Sequence, residues 1–250
     1  MIFLLKIENL TVEFGNLIAV NNFNMEVKEG EIHALIGPNG AGKTTVFNAI
    51  YNFVNYKGNI FFLDYNLKKI STYNLVNIGL SRTYQNLSLF PTLNVIENIQ
   101  LGLYRKLKSN FIKDIFGFDV FKSKGVKEKI QEVLTLLNLT QYIYYYPSFL
   151  PYGTQKLVEL GRAIISNPKL LLLDEPAAGL NTEEKIYFRE ILRKLRDKGI
   201  TLLIVEHDME LIMDISDYIT VMSFGNKISE GKPLEIANDK NVIEAYLGEA

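Results

Sequence analysis

The sequence predicts an α/β fold built on a mostly parallel sheet, and three observations support it. A short apolar run, residues 31–36, leads directly into a glycine-rich turn. From Lys169 onwards, short apolar runs alternate with longer segments whose apolar residues recur at helical spacing. Between these parts, residues from about 94 to 166 look mainly helical. Because strands that alternate with helices are typical of βαβ units, we expect a parallel sheet interrupted by a helical insert.

The sequence pattern of the first part of the chain predicts strands joined by tight turns. Strand-like runs fill residues 2–36, and Gly15-Asn16 and Glu29-Gly30 mark the turns between them. A helix is expected over Thr44–Tyr51, after the glycine-rich turn. The strands expected in this part are Phe3–Phe14, Asn24–Val27, Glu31–Ile36, Asn59–Leu63 and Gly79–Tyr84.

The last part of the chain predicts three strands and two helices in alternation. The apolar runs are short enough for buried strands, and the segments between them have helical periodicity. The expected strands are Leu170–Leu173, Thr201–Glu206 and Tyr218–Met222, and the expected helices are Thr182–Arg196 and Met209–Ile215.

The glycine-rich segment Gly37–Thr45 fits G-x-x-x-x-G-K-[ST], the pattern of a phosphate-binding loop. Its glycines allow backbone conformations in which successive N–H groups point at phosphate oxygens. Lys43 then reaches the β- and γ-phosphates, and the Thr44 hydroxyl can bind Mg²⁺. A plain turn is the alternative, but the flanking strand and helix match the context of the motif. The sequence therefore predicts that the chain binds a nucleoside triphosphate.

Two acidic residues, Asp174 and Glu175, follow four leucines that form a predicted buried strand. In proteins with a phosphate-binding loop, an acid at a strand end holds Mg²⁺, and we assign that role to Asp174. Glu175 then becomes the candidate base that takes a proton from the attacking water. The alternative is a solvated acidic pair that opens a turn before Pro176, which the phosphate-binding loop disfavours.

Composition limits the classes of function. The chain has 27 Lys and Arg against 28 Asp and Glu, so the charge balance does not favour a nucleic-acid partner. Without cysteine, disulfides and thiolate metal sites are excluded. No run approaches the roughly 20 apolar residues that span a bilayer, and the first apolar run is too short for a signal peptide. We therefore expect a cytosolic or peripheral protein; for a membrane process, another chain would supply the pore.

Five segments resemble, in chain order, the motifs of the ATP-binding subunit of ABC transporters. They are Gly37–Thr45 (Walker A), Arg82–Asn86 (Q-loop), Leu150–Gln155 (signature), Leu170–Asn181 (Walker B and D-loop) and Val205–Asp208 (H-loop). The resemblance spans essentially the whole chain. Within the superfamily, these segments and the C-terminal Ala245–Ala250 are most similar to LivG-type subunits of branched-chain amino-acid importers.

The resemblance implies a P-loop NTPase core of the ABC ATPase type, with an N-terminal antiparallel β subdomain and an inserted α-helical subdomain. Residues 1–250 would form a single ABC ATPase domain. Residues 1–90 and 167–250 would hold the nucleotide-binding core with the β subdomain, and residues from about 91 to 166 the helical subdomain.

The resemblance also implies roles residue by residue, with ATP and Mg²⁺ as cofactors. Phe14 would stack on adenine, although it could instead be a core residue at a strand end. Gln85 would contact Mg²⁺ and the attacking water, and His207 the γ-phosphate, so that both act with Glu175. The implied ATP-binding residues are Phe14, Asn39, Gly40, Ala41, Gly42, Lys43, Thr44 and Thr45, and the implied Mg²⁺ ligands are Thr44, Gln85 and Asp174, the last directly or through water.

The signature and the D-loop depart from the usual family pattern. Pro151 stands where Ser is usual, so the hydroxyl that would contact the γ-phosphate across a dimer is missing. The helix that opens near Gly153 still offers N–H groups and a positive dipole end to an anion. Asn181 of the D-loop replaces the common Asp and loses its charge. Residues implied at the dimer interface are Tyr152, Gly153, Thr154 and Gln155 of the signature and Gly179 and Asn181 of the D-loop.

The insert Leu103–Ile130 combines basic and aromatic residues. An amphipathic helix packed on its own helical subdomain is one interpretation, and a face near the anionic membrane leaflet or the permease is the other. The basic residues are Arg105, Lys106, Lys108, Lys113, Lys122, Lys124, Lys127 and Lys129, and the aromatic ones Phe111, Phe116, Phe118 and Phe121.

The resemblance predicts the partners as well. Two copies, or one copy and a paralogous ATPase subunit, would enclose ATP between the phosphate-binding loop of one and the signature helix of the other. The Gln85–Pro91 segment would pass the motion to integral-membrane permease subunits, and an extracytoplasmic binding protein would act indirectly. The chain would sit peripherally on the cytoplasmic face of the inner or plasma membrane. The cargo would be a branched-chain or other hydrophobic amino acid.

Other functions remain open at this point. A related ABC ATPase could serve urea import or lipopolysaccharide export. A non-transport ABC ATPase usually carries a second cassette, long coiled coils or basic extensions, none of which the sequence shows. A kinase or GTPase with the same loop would not need the signature segment, and the guanine-reading Asn-Lys-x-Asp motif is missing.

Overall fold

The computed structural model describes residues 3–104 and 124–247 of the chain. Its strands are β1 (Phe3–Phe14), β2 (Leu17–Lys28), β3 (Ile32–Ile36), β4 (Lys57–Phe62), β5 (Tyr65–Asn66), β6 (Leu80–Arg82), β7 (Leu170–Asp174), β8 (Thr201–Val205), β9 (Tyr218–Ser223) and β10 (Asn226–Gly231). Its α-helices are α1 (Lys43–Ile50), α2 (Leu75–Ile78), α3 (Val95–Gln100), α4 (Lys124–Leu136), α5 (Tyr152–Ile164), α6 (Thr182–Asp197), α7 (Met209–Ile215), α8 (Pro233–Ala237) and α9 (Lys240–Leu247).

A four-stranded antiparallel sheet, in the order β2-β1-β4-β5, forms the predicted N-terminal β subdomain. One prediction within it was too short, because β2 was expected only over Asn24–Val27 and instead begins at Leu17. Asparagines in this stretch weaken the strand signal. The structure accommodates them with register shifts in the β1–β2 pairing and a left-handed backbone at Asn22, whose φ is 46°.

A six-stranded sheet, in the order β10-β9-β3-β8-β7-β6, forms the second layer. All its neighbouring strands are parallel except the β9–β10 pair, which is antiparallel. The predicted parallel sheet is therefore confirmed. The carboxyl ends of parallel strands lie at one edge, where open α/β sheets bind their ligands, so the segments after β3, β6, β7 and β8 meet there.

The central strands divide their side chains between two hydrophobic cores. Alternate residues of a strand point to opposite faces, so Leu171 and Leu173 of β7 join one core, whereas Leu170 and Leu172 join the other. The first core packs the sheet against α5, α6 and α7, and the second packs it against α1 and the antiparallel sheet. This sandwich holds the carboxyl edge of the sheet rigidly around the candidate site.

Helices fill the described parts of the region between β6 and β7, as the periodicity predicts. α3 and α5 pack closely, and Asn94 starts α3 with a capping box in which its side chain accepts from the Glu97 N–H at 3.0 Å. The division into a helical subdomain at about 91 and 166 stays a proposal. Arg105 to Lys122 of the predicted basic insert, with its four phenylalanines, lie outside the described residues.

No helix in the described part of the chain combines the length and the apolar character that crossing a bilayer requires.

Candidate functional site

The phosphate-binding loop joins β3 to α1, and two of its glycines cannot be replaced without collision. Gly42 has a φ of 102°, and a Cβ at this position would lie 2.6 Å from the carbonyl oxygen of Ala19. Gly37 has a φ of 148°, and a Cβ there would collide with the carbonyl oxygen of Met222. Both values lie in the region that favours glycine. The loop can therefore approach β2 and β9 closely and present its N–H groups around one point.

Lys43 is the first residue of α1, and its side chain turns back over the loop. Its Nζ donates hydrogen bonds to the carbonyl oxygens of Gly37 at 2.6 Å and Pro38 at 2.8 Å. These bonds hold the ammonium group within the loop. A positive charge held there, at a helix N-terminus, suits phosphate binding.

A cavity of about 400 Å³ lies over this loop. It brings together most of the predicted ATP-binding residues with two catalytic candidates from the segments that follow β7 and β8. Its wall also contains apolar residues that the sequence did not point to, which lie in β2 and in the β9–β10 turn. The lining residues are Leu17, Ile18, Ala19, Asn39, Gly40, Ala41, Gly42, Lys43, Thr44, Thr45, Glu175, His207, Phe224 and Gly225.

The Glu175 carboxylate is held from two sides at the mouth of this cavity. Its Oε2 accepts a hydrogen bond from Gln85 Nε2 at 2.8 Å, and its Oε1 lies 2.8 Å from His207 Nε2. The three predicted catalytic side chains thus meet, although they come from three separate segments. Glu175 has a left-handed backbone with a φ of 47°, a conformation that is costly for a non-glycine residue and is found at functional sites.

The backbone of Glu175 is fixed by hydrogen bonds to neighbouring elements. Its N–H donates to the carbonyl oxygen of Val205 at 2.8 Å, and its own carbonyl accepts from Lys156 Nζ at 3.1 Å. Lys156 belongs to α5, directly after the signature residues, and burial lowers the pKa of its ammonium group. The signature helix is thereby tied to the candidate base within the same chain.

Asp174 ends β7 and is almost fully buried. Its Oδ2 accepts a hydrogen bond from Arg82 Nη2 at 2.7 Å, which forms a buried ion pair. Its Oδ1 is buried and has no hydrogen-bond partner among the residues that the structure describes. Because a buried carboxylate oxygen normally has a partner, this atom fits a role as an acceptor for a hydrated cation.

Sequence reasoning missed Glu206, which links the H-loop to the D-loop. The buried carboxylate accepts the Ala177 N–H at 2.6 Å and the His207 N–H at 2.9 Å. It therefore holds the segment that follows Glu175 against the segment that carries His207. Glu206 ends the predicted strand Thr201–Glu206, but no local pattern links it to Ala177, and only the fold brings the two residues together.

Replacing Glu206 with Ala is expected to lower the free energy of unfolding by about 2–3 kcal/mol. The buried Ala177 N–H would lose a charged acceptor, and leaving such a group unpaired carries its desolvation cost. Urea unfolding followed by circular dichroism measures the change. Glu210→Ala, at an exposed position of α7, is the control, and equal midpoints for the two variants would contradict the structural role of Glu206.

The predicted signature residues do not line the phosphate-loop cavity. Gly153 and Thr154 line a different cavity with Leu180 and Glu184, and a Cβ on Gly153 would collide with the Glu184 carboxylate. The signature residues therefore lie away from the phosphate-binding loop of their own chain. A trans contact needs a second ATPase chain.

Asn181 of the D-loop caps the N-terminus of α6, which accounts for an asparagine at this position. Its Oδ1 accepts from the Glu184 N–H at 2.9 Å, while its N–H donates to the Glu184 carboxylate at 3.0 Å. This capping box starts α6, and Asn serves it as well as Asp does. The sequence Asn-Thr-Glu-Glu at residues 181–184 has the spacing of a capping box, from which this role could have been predicted.

Phe14 lies at the end of β1, opposite Leu17 in the hairpin, and is 49% exposed. This exposure disfavours the alternative interpretation as a core residue. The cavity over the loop is instead lined by Leu17 and Ile18 of the same hairpin. The contact between Phe14 and adenine stays a prediction.

The Q-loop leads from Gln85 to a groove on the surface beside α3 and α5. Phe90 lines this cavity of about 520 Å³ and is 51% exposed, with its ring 6.0 Å from the Arg162 guanidinium. The buried Asn98 side chain holds the backbone of Phe90, accepting its N–H at 2.9 Å and donating to its carbonyl at 3.1 Å. Leu89, beside Phe90, is partly buried and packs against the core.

Two family models match the chain. The model described as ABC transporter matches residues 20–178, and the model described as Branched-chain amino acid ATP-binding cassette transporter matches residues 226–250. The first covers the phosphate-binding loop, the Q-loop, the signature and the strand that carries Asp174.

Proteins similar to the chain over nearly its whole length carry related names. The High-affinity branched-chain amino acid transport ATP-binding protein BraF of Pseudomonas aeruginosa is 38% identical, with 99% of this chain and 98% of that protein aligned. The protein of the same description named LivG of Escherichia coli (strain K12) is 39% identical over the same shares of the two chains.

A solved structure agrees with the fold. An ATP-binding cassette of an ABC transporter in its ADP conformation superimposes with a TM-score of 0.85 and 30% identity, covering 99% of this chain and 100% of that one. Together with the phosphate-binding loop and the Glu175, Gln85 and His207 cluster, these matches show that the chain belongs to the ABC transporter family.

Proposed function

We propose that this chain is the ATP-binding and hydrolysing subunit of an ABC importer for branched-chain or other hydrophobic amino acids. The observation that carries the enzymatic part is the Glu175 carboxylate, held by Gln85 and His207 at the mouth of the phosphate-loop cavity. The cargo class is supported by the C-terminal family match and by the names of the relatives.

The chain's own residues divide the work of hydrolysis. The loop N–H groups and Lys43 bind the phosphates and orient the terminal one. The Glu175 carboxylate accepts a proton from the attacking water, and Gln85 positions that water because its amide both donates and accepts. His207 lies beside Glu175 and stabilises charge on the γ-phosphate. The left-handed backbone of Glu175 fixes the base in advance.

Mg²⁺ fits the residues at the end of β7 and the start of α1. Asp174 and Thr44 would hold it, directly or through water, and Gln85 would complete the set. Asp174 would use Oδ1, which has no hydrogen-bond partner within the described parts of the chain. When bound, the ion supplies positive charge that offsets the charge of the phosphate oxygens. Phe14 would contact adenine from the β1–β2 hairpin.

A complete site needs two ATPase chains. The signature residues Tyr152–Gln155 and the D-loop residues Gly179 and Asn181 would meet the nucleotide held by the loop of the other chain. The N-terminal end of α5 offers free N–H groups to the γ-phosphate there, although Pro151 supplies no hydroxyl. The second chain would be another copy or a paralogous subunit, and nucleotide would close the pair.

The integral-membrane permease would dock on the groove beside Phe90. Exposed aromatic side chains gather there, at Tyr73, Tyr84, Phe90 and Tyr104, and such side chains are frequent anchors for partner helices. The permease would place the chain at the cytoplasmic face of the membrane as a peripheral subunit. An extracytoplasmic binding protein would deliver the amino acid to the permease.

Reconstitution tests the proposal directly. The chain is purified with the permease that it captures from its own cells, and the complex is placed in proteoliposomes with the binding protein. ATP-dependent uptake of radiolabelled leucine, isoleucine or valine is the expected result, with alanine and urea as competing substrates. Uptake of urea alone, or ATP hydrolysis with no captured permease, would refute the proposed cargo or the proposed importer role, respectively.

A further inference from the structure

Arg82 is a buried charge that the proposed mechanism does not use. It ends β6, its side chain is only 4% exposed, and it has partners on two other elements. Nη2 donates to Asp174 Oδ2 at 2.7 Å, and Nη1 donates to Asn48 Oδ1 on α1 at 2.9 Å. A buried guanidinium needs such pairing, because an unpaired buried charge is strongly destabilising.

Four aromatic rings surround the guanidinium and fix its position. They come from α1, from the segment after it and from the Q-loop, at distances of 5.2–6.0 Å between ring centroid and Cζ. Cation–π contact of this kind is stronger where water is excluded. The rings are those of Phe47, Tyr51, Phe53 and Tyr84.

The two carboxylate oxygens of Asp174 differ in their hydrogen bonding. Oδ2 is held by the rigid fork of Arg82, whereas Oδ1 stays buried without a partner among the described residues. A free carboxylate could rotate and exchange its oxygens, but one held at Oδ2 presents Oδ1 at a fixed place. A second group that orients a metal ligand typically contributes 10–100-fold in metal affinity.

We propose that Arg82 is a positioning residue: it holds Asp174 so that Oδ1 can bind the magnesium ion of the bound nucleotide, directly or through a water of that ion. This inference rests on the proposed role of Asp174. The two arms of the guanidinium also join α1, which begins at Lys43, to the end of β7. Arg82 therefore links the helix that follows the phosphate-binding loop to the magnesium ligand, and it lies three residues before Gln85.

Thermal unfolding separates this role from a merely structural one. Melting temperatures are measured for the full chain alone, with ATP and EDTA, and with ATP over a magnesium titration. ATP without magnesium should stabilise the wild type and Arg82→Met alike. The magnesium concentration for half of the additional stabilisation should rise about 10–100-fold in Arg82→Met. A merely structural role would lower every melting temperature and leave the magnesium midpoint unchanged.

Two further variants keep every outcome informative. Arg82→Lys retains the charge but replaces the planar fork, whose two nitrogens bind Asn48 and Asp174 separately, with one ammonium nitrogen. It should therefore raise the magnesium midpoint by an intermediate factor. If Arg82→Met does not fold, Arg82→Lys decides, and a midpoint within about twofold of the wild type overturns the inference. Asp174→Asn tests the role on which the inference rests. If Asp174→Asn raises the magnesium midpoint and Arg82→Met does not, the positioning role of Arg82 is refuted and the magnesium role of Asp174 stands. If Asp174→Asn leaves the midpoint unchanged, the magnesium role of Asp174 is refuted.

Discussion

Replacing Glu175 with Gln is expected to lower ATP hydrolysis by roughly 10²–10⁴-fold, the usual contribution of a positioned general base, and to leave ATP binding intact. The amide occupies the same space and can keep contact with Gln85 and His207, which lie 2.8 Å from the two carboxylate oxygens. It cannot accept the proton of the attacking water. Steady-state phosphate release measures the first effect, and titration with a fluorescent ATP analogue measures the second.

The same variant should accumulate as a dimer in the presence of ATP and Mg²⁺. Nucleotide that is bound but not hydrolysed would keep both chains closed over it, and size-exclusion chromatography would detect the change in mass. Glu244→Gln, at an exposed position of α9, is the matched control. It should hydrolyse ATP at the wild-type rate and should not accumulate as a dimer, because hydrolysis lets the pair reopen. Turnover that is unchanged in Glu175→Gln would remove Glu175 from the role of base.

Local sequence patterns were enough to predict the parts of the site that lie within one segment. The phosphate-binding loop, the strand before it and the helix after it follow from glycine spacing and apolar periodicity between residues 31 and 51. Asp174 and Glu175 follow from an apolar strand that ends in two acids. In the structure, parallel pairing of β3, β8 and β7 brings the carboxyl ends of these strands together.

Contacts between distant segments were beyond these patterns. The pairing of Arg82 with Asp174 joins residues that are 92 positions apart, and Glu206 reaches Ala177 across 29 positions. No local pattern indicates these partners, because the burial of each charged side chain depends on which strands become neighbours. The predicted start of α6 at Thr182 agrees with the structure, but the capping box of Asn181 and Glu184 was locally readable and was missed.

Replacing Phe90 with Ala is expected to abolish most amino-acid uptake by the reconstituted transporter while leaving ATP hydrolysis by the isolated subunit nearly unchanged. The ring is half exposed at the rim of the groove, and burying such a side chain against a partner contributes about 1.5–3 kcal/mol. That corresponds to roughly a 10–100-fold loss of affinity for the permease. Uptake in proteoliposomes and capture of the permease by the immobilised subunit measure the two effects.

The structure also predicts that this variant stays folded, which separates coupling from packing. Asn98 holds the N–H and the carbonyl of residue 90 through its own side chain, and these bonds do not depend on the ring. Phe3→Ala, at an exposed position of β1 outside the groove, is the matched control and should transport normally. A large fall in melting temperature for Phe90→Ala would show that the ring packs within its own subunit. Full transport with alanine at position 90 would place the permease contact elsewhere, since an anchor buried in a partner helix cannot be lost without weakening the complex.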